Sequence, residues 1–299
     1  MKQTLLAIIA TIMLASCSER QEAMQFKADS LSIDTTVLRI AVMPTMSCLP
    51  VYYAEQSGLA NKLGMKIQLL RFQAQIDIDT AIQRGHTDIA FTDLIRCTRL
   101  AQAKTPVKPI ASCDEPLSLI SLKTKRVKKI NQMKQQMIAI SRLSATDYWC
   151  DRLLDEANTS HDDIYRPQVN DVCLRAEMLR QGLVDAAMMG EPFATWMTRL
   201  GHKRLFSSEG KRPWLYVWAN VSATQAQEET FLSMLDSAII YMERDAENVI
   251  VRNILKQDYQ LPPAFADTLE LKPVKSPSAI HPEDMKDAEI WLNKRKAKK

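Results

Sequence analysis

The sequence predicts an α/β protein of two lobes, each a mostly parallel sheet flanked by helices. Three observations carry that expectation. Short apolar β runs alternate with longer helical patterns, a spacing that calls for parallel strands joined by crossover helices. The alternation pauses near residue 116 and restarts near residue 136. One local unit also occurs twice, at residues 81–90 and 176–187: a helix, a glycine, two residues, an aspartate and a small apolar strand. With 299 residues, 46% hydrophobic and 25% charged, the chain has enough material for two cores.

The elements follow in order. Residues 5–14 form an apolar run after Met1 and Lys2, too short to span a bilayer and suited to a signal-peptide core. The run ends in Leu14-Ala15-Ser16-Cys17, which resembles a bacterial lipobox and implies cleavage before Cys17 and lipidation of its thiol. The expected product is an exported, membrane-anchored lipoprotein, on the periplasmic face or the cell surface. Residues 18–36 are polar and aperiodic and read as a flexible tether.

Residues 37–43 read as a strand stopped by Pro44, and 49–63 as a helix with Pro50 in its first turn and Gly58 disturbing it. Strands are expected at 65–72, 88–91 and 107–112, with helices at 77–85 and 94–103 between them. The restart gives strands at 136–140, 165–169 and 186–189, and helices at 145–157 and 173–181. A strand at 215–220, a long helical pattern at 225–256 and a helical tail from 282 complete the chain, with 293–299 as a frayed basic terminus. The organisation read from this is a signal peptide and lipobox at 1–17, a tether at 18–36, lobe 1 from 37–117 plus about 215–299, and lobe 2 from about 118–214.

Several function classes recede on composition. Thirty-nine basic and 35 acidic residues give a net charge of +4, too balanced for a nucleic-acid partner. Seven glycines include no GxGxxG and no GxxxxGK[ST]. His86, His161, His202 and His281 lie far apart, so no metal and no cofactor is expected. Beyond Cys17, the cysteines 48, 97, 113, 150 and 173 are odd in number and read as buried free thiols. Met46, Cys48, Cys97, Cys113, Met188 and Met189 gather near strand ends, and they read as core fillers in preference to a soft-metal site.

Within this frame, residues 38–44 (LRIAVMP) with 49–59 (LPVYYAEQSGL) resemble the opening strand and helix of a known family. Residues 182–193 (GLVDAAMMGEPF) resemble its second-lobe strand and acidic-proline turn. The family is that of the periplasmic solute-binding proteins of ABC importers, in the branch of sulfonate, taurine, nitrate and thiamine-precursor binders. The resemblance runs from about residue 37 to 200, with Ala60 where the family usually has phenylalanine. It implies the two-lobed periplasmic binding protein fold, a small solute held in a cleft by hinge closure, and ABC permease and ATPase subunits as partners of a monomer.

Ligands of open α/β sheets lie beyond the carboxyl ends of strands, at helix N-termini. That rule selects Thr45, Ser47 and Cys48 after the first strand, Gln75 and Asp77 after the second, and Thr92 and Asp93 after the third. In the second half it selects Ser144, Thr146, Asp147, Tyr148, Asp171, Gly190 and Glu191. Each Ser, Thr and Asp among them is equally suited to capping its helix. Five acids, Asp77, Asp93, Asp147, Asp171 and Glu191, face only Arg96 and Arg142 as near cations. The balance favours a neutral or cationic heterocycle or amine, with a sulfonate-type ligand still open. Tyr148, Trp149 and Trp196 are candidates to stack on it, core packing being the simpler reading for Trp149. The expected function is solute capture without catalysis. The alternatives are an enzyme on the same fold, of thiamine-pyrimidine or menaquinone-pathway type, and a surface receptor for a protein partner.

Overall fold

The computed structural model describes residues 37–245 and 248–297. Cys17, the signal sequence and the tether lie outside the described residues. In chain order the elements begin β1 (Val37–Val42), α1 (Leu49–Gln56), α2 (Leu59–Lys62), β2 (Lys66–Arg71), α3 (Gln75–Gln83), β3 (Ile89–Asp93), α4 (Leu94–Gln102) and β4 (Lys108–Cys113). They continue with β5 (Leu117–Ser121), β6 (Ile138–Ala139), α5 (Ala145–Glu156), α6 (Val172–Gln181), β7 (Ala186–Gly190), α7 (Phe193–Arg199) and β8 (Lys203–Ser207). β9 (Tyr216–Asn220), α8 (Gln225–Arg244), α9 (Val249–Gln257), α10 (Pro263–Thr268) and α11 (Pro282–Ala297) close the chain.

Two sheets form, in the orders β2-β1-β3-β9-β4 and β6-β7-β5-β8. β1 runs parallel to β2 and β3, and β6 parallel to β7, as helical crossovers require. Each sheet is nevertheless mixed, because each holds one reversed strand. β9 lies antiparallel to β3 and β4, and β5 antiparallel to β7 and β8. These are the two strands entered by passage from one sheet to the other, through Asp114, Glu115 and Pro116 on the way out and residues 208–215 on the way back. Neither is reached through a helix, so nothing obliges it to run parallel.

The repeated unit has the same job in both halves. Gly85 and Gly182 take φ of +66° and +75°, the left-handed conformation that ends a helix and that side chains disfavour. In the first copy the Asp88 carboxylate accepts the Arg39 N–H at 2.9 Å. In the second, Asp185 accepts the Met137 N–H at 2.7 Å. Each aspartate thus ties the start of its own strand to the neighbouring one.

Several sequence expectations need correction. The helix expected at 49–63 breaks into α1 and α2 at Gly58, whose φ is +71°. The long pattern at 225–256 divides into α8 and α9, with Asn248 at φ +52° heading the second. Residues 165–169 form no strand and contribute isolated bridges, Tyr165 with Met137 and Gln168 with Ile140. β5, β8 and α7 lie outside the expected elements; β5 opens the stretch expected as a join between lobes. The basic terminus is helical through Ala297, where Arg295 reaches Asp147 at 3.2 Å. α11 packs on α4, and Trp291 from it meets Tyr148 of α5 edge-on at 5.9 Å, so this helix touches elements of both halves. The four cysteines 48, 97, 113 and 150 are buried and free, and Cys173 is free and half-buried.

Candidate functional site

The two sheets meet along a cleft bounded by the carboxyl ends of β1 and β7, the start of β9 and the N-termini of α3, α5, α6 and α7. Backbone and side-chain bonds close it. The Val172 N–H donates to the Gln73 carbonyl at 2.9 Å. Arg96 donates to the Ser141 hydroxyl at 2.8 Å, and the Ala145 N–H donates to Asp93 at 3.3 Å. Between the closed halves lies a cavity of about 20 Å³. That is room for about one water.

The wall of this cavity is polar. Thr45 comes from the turn after β1 and Gln75 from the first residue of α3. Glu115 comes from the outward passage between sheets, and Arg175 from the first turns of α6. Glu115 is 7% exposed and Arg175 3%, and neither makes an ion pair among the described residues. Thr45 Oγ1, Gln75 Nε2, Glu115 Oε1 and Arg175 Nε are all buried without a hydrogen-bond partner among the described residues. Buried polar atoms are normally satisfied, so four unsatisfied ones on one small cavity leave a place where a bound polar group would find partners.

The charges respond to that burial. Desolvation pushes the Glu115 carboxyl up to about 7, against the pull of Ser47, whose N–H donates to Glu115 Oε2 at 2.8 Å. Desolvation also lowers the Arg175 guanidinium to about 10. Arg175 keeps one bond, donated to the Val169 carbonyl at 3.2 Å. Glu191 is on the same wall but is already held by Arg204 at 2.9 Å and by the Thr195 N–H at 2.9 Å. Gly190 allows the close approach of the two acids: a Cβ there would stand 3.1 Å from Glu115 Oε1. Tyr216, stacked on Phe91 with ring centroids 5.4 Å apart, closes the side of the cavity nearest β9.

Of the residues selected from sequence, Thr45, Gln75, Thr146, Gly190 and Glu191 line the cavity. Thr146 does so with its hydroxyl engaged by the Ser141 N–H at 2.9 Å. Ser47 lies just outside it, presenting its backbone to Glu115. The others go elsewhere. Cys48 is fully buried in the core, where desolvation pushes its thiol up to about 12. Asp77 is exposed in the first turn of α3, and Thr92 is buried within β3. Asp93, Ser144 and Asp171 cap α4, α5 and α6, accepting the N–H groups of Arg96, Thr146 and Leu174. Asp147 is buried against Arg166 and Arg295, away from the cleft. Tyr148 packs on Trp149 and Trp291. Trp149 and Trp196 are core residues.

Glu115 and Arg175 escaped the sequence reading. Glu115 lies two residues past β4, but that strand leads into the passage to the other sheet and not into a helix, so no helix N-terminus draws attention to it. Arg175 lies one turn into α6, at the i+4 position from the capping Asp171, whose backbone carbonyl its N–H bonds at 3.0 Å. The rule of looking at the first residues after each strand stops just short of it.

This is the architecture of the two-lobed periplasmic binding proteins. The chain is similar to the alkanesulfonate-binding protein SsuA from Xanthomonas axonopodis pv. citri, at 20% identity and a TM-score of 0.72 over 88% of this chain and 93% of that one. It is similar to the aliphatic sulphonate-binding protein SsuA from Escherichia coli, at 17% identity and a TM-score of 0.70 over 87% and 88%. The periplasmic nitrate-binding protein NrtA from Synechocystis PCC 6803 aligns at 12% identity and a TM-score of 0.67, over 81% and 74%. Residues 45–206, more than half of the chain, match the family described as NMT1/THI5 like, and the protein belongs to that family. No curated protein matches the sequence.

Proposed function

We propose that the protein is the extracytoplasmic solute-binding component of an ABC importer, anchored through a lipid on Cys17, that captures a small amphoteric solute by lobe closure. The observation that carries this is the set of four unpartnered atoms on one interlobe cavity. Gln75 Nε2 and Arg175 Nε call for acceptors on the ligand, and Glu115 Oε1 calls for a donor. An amino-substituted heterocycle or a zwitterion offers both; a bare sulfonate or nitrate offers acceptors alone. The relatives named above are sulfonate- and nitrate-binding proteins by name, and Arg175 suits such anions, but a bare anion leaves Glu115 Oε1 without a donor. The lobes we assign are 37–117 with about 215–299, and about 118–214, with the hinge at the two passages between sheets, 114–116 and 208–215.

The test is thermal unfolding of the full-length chain against 4-aminopyrimidines, α-amino acids, alkylamines, alkanesulfonates and nitrate. A ligand present at 100 times its dissociation constant adds about 2.7 kcal/mol of stability. Amphoteric compounds are expected to shift the transition, and Glu115→Gln or Arg175→Met to cut that shift by at least about half. A shift from sulfonate or nitrate alone, untouched by Glu115→Gln, would sink the amphoteric reading. For the anchor, growth with labelled palmitate is expected to tag the parent and not Cys17→Ala; a parent that takes up no label, or a variant labelled as well as the parent, would refute lipidation there.

A further inference from the structure

A second, larger space adjoins the cleft. It measures about 460 Å³. That volume is within the roughly 300–1,000 Å³ range of small-molecule pockets. Its floor is shared with the inner cavity, because Glu115 and Glu191 line both. Its outer wall is the irregular segment between α10 and α11, which brings Leu269, Leu271 and Val274 to it, facing Pro116 and Pro192. That segment is fastened across the passages. Ser278 exchanges two backbone hydrogen bonds with Ser112, at 2.8 and 2.9 Å. Lys275 pairs with Asp114 at 2.6 Å and Lys272 with Glu209 at 3.0 Å.

Most charges around the chamber are already engaged; of the others, Arg199 donates to the Thr268 carbonyl at 3.1 Å and Glu270 is exposed. Asp114 and Glu209 have lysines, and Glu191 has Arg204. Glu115 alone among these acids keeps a buried oxygen without a partner, and it stands where the two spaces join. The rest of the chamber's floor and outer wall is largely aliphatic and proline surface. A ligand that gives its donor to Glu115 has an apolar chamber beside it and a polar cavity behind it.

We propose that this chamber is the subsite for an apolar substituent, so that the solute has an amphoteric head read by Glu115 and Arg175 and an apolar tail held under the 269–275 segment. This rests on the amphoteric reading of the cleft. It adds what that reading lacks, a reason for the protein to prefer one amphoteric solute over another: each methylene removed from water against this wall raises affinity by about threefold to fourfold.

The test is calorimetric titration of the full-length chain with straight-chain α-amino acids from glycine to norleucine, and with 2-alkyl-4-aminopyrimidines from methyl to butyl. Matching alkanesulfonates and alkylamines serve as the anion-only and cation-only arms. Affinity is expected to climb with chain length in an amphoteric series by about threefold per methylene. Val274→Asp and, separately, Leu271→Ser are expected to flatten that climb while the shortest member binds as before. Both residues are only half-buried, so both variants should fold. Binding without dependence on chain length would overturn the chamber and leave the cleft reading standing. A climb confined to the sulfonates or to the alkylamines would overturn the amphoteric head. A climb that survives both substitutions would place the tail elsewhere and overturn the subsite. Failure of every compound to bind would overturn both readings.

Discussion

Thr146 and Asp147 are neighbours on α5, yet they serve different cavities. About 100° of helix rotation separates them. Thr146 faces the cleft, and Asp147 faces a second space of about 650 Å³ lined by arginines 96, 99, 142, 166 and 295 with His161. In that second space the buried charges are matched. Asp79 holds Arg96 and Arg99 at 2.5 Å each. Asp147 holds Arg166 at 3.3 Å and Arg295 at 3.2 Å, and Asp151 holds Arg166 at 2.5 Å. The cleft differs: Glu115 and Arg175, equally buried, have no opposite charge of their own among the described residues. An acid near a helix N-terminus does not by itself mark a site; what distinguishes the two regions is whether its charge is already answered.

The largest expected effect falls on the matched side. Asp147→Ala takes a fully buried carboxylate from Arg166 and Arg295, leaving each with Asp151 alone, and removes the acceptor of the Leu143 N–H, in a network that joins α11 to α5. Removing one partner of a buried ion pair costs about 3–5 kcal/mol when the remaining charge stays desolvated, and the lower end applies where, as here, Asp151 still answers both arginines. Urea unfolding should show that loss, while the folded variant binds its solute within about twofold of the parent, since Asp147 does not touch the cleft. Unchanged stability with lost binding would reverse the roles assigned here to the two cavities.

The same distinction explains how far the sequence could be read. Period and punctuation were enough for β1, β3, α4 and β7, because a strand buried on both faces is a short apolar run and each helix is announced by a cap. The duplicated Gly85–Asp88 and Gly182–Asp185 units were legible because left-handed glycine and strand-tying aspartate are local requirements. β5 and β8 were not, since nothing in a short apolar segment says which sheet receives it or in which direction. The site suffered from the same non-locality. Asp77, Asp93, Asp147, Asp171 and Glu191 look alike in sequence. Only tertiary structure gives Asp147 its arginines from residues 166 and 295, or leaves Glu115 with none. The inference toward a neutral or cationic ligand counts acids that are caps (Asp93, Asp171), ion pairs (Asp147, Glu191) or open to solvent (Asp77). The acid and the base that face the cavity together, Glu115 and Arg175, favour a ligand with both a donor and acceptors.

The unmatched side carries a smaller effect with an opposite sign. Burial raises the Glu115 carboxyl from its ordinary 4.5 to about 7. Between those values the folded protein holds a proton that the unfolded chain has released, so stability falls as pH rises through that window and is level above it. The fall attributable to Glu115 is roughly 3 kcal/mol. Asp93, raised to about 6, adds a slope of the same sign ending near that pH. Glu115→Gln removes the ionisation while leaving an oxygen to accept the Ser47 N–H. The variant is expected to be more stable than the parent at pH 8 and to differ little from it at pH 4.5, with the residual slope of Asp93 still visible. Its solute affinity should fall at least tenfold. In the parent, a ligand that donates to ionised Glu115 binds more tightly as pH rises through 7, whereas an anion resting on the protonated acid binds less tightly. A substitution that strengthens the fold and empties the cleft is what an unanswered charge at a binding site requires; loss of stability at pH 8 in Glu115→Gln would mean that Glu115, like Asp147, belongs to the framework.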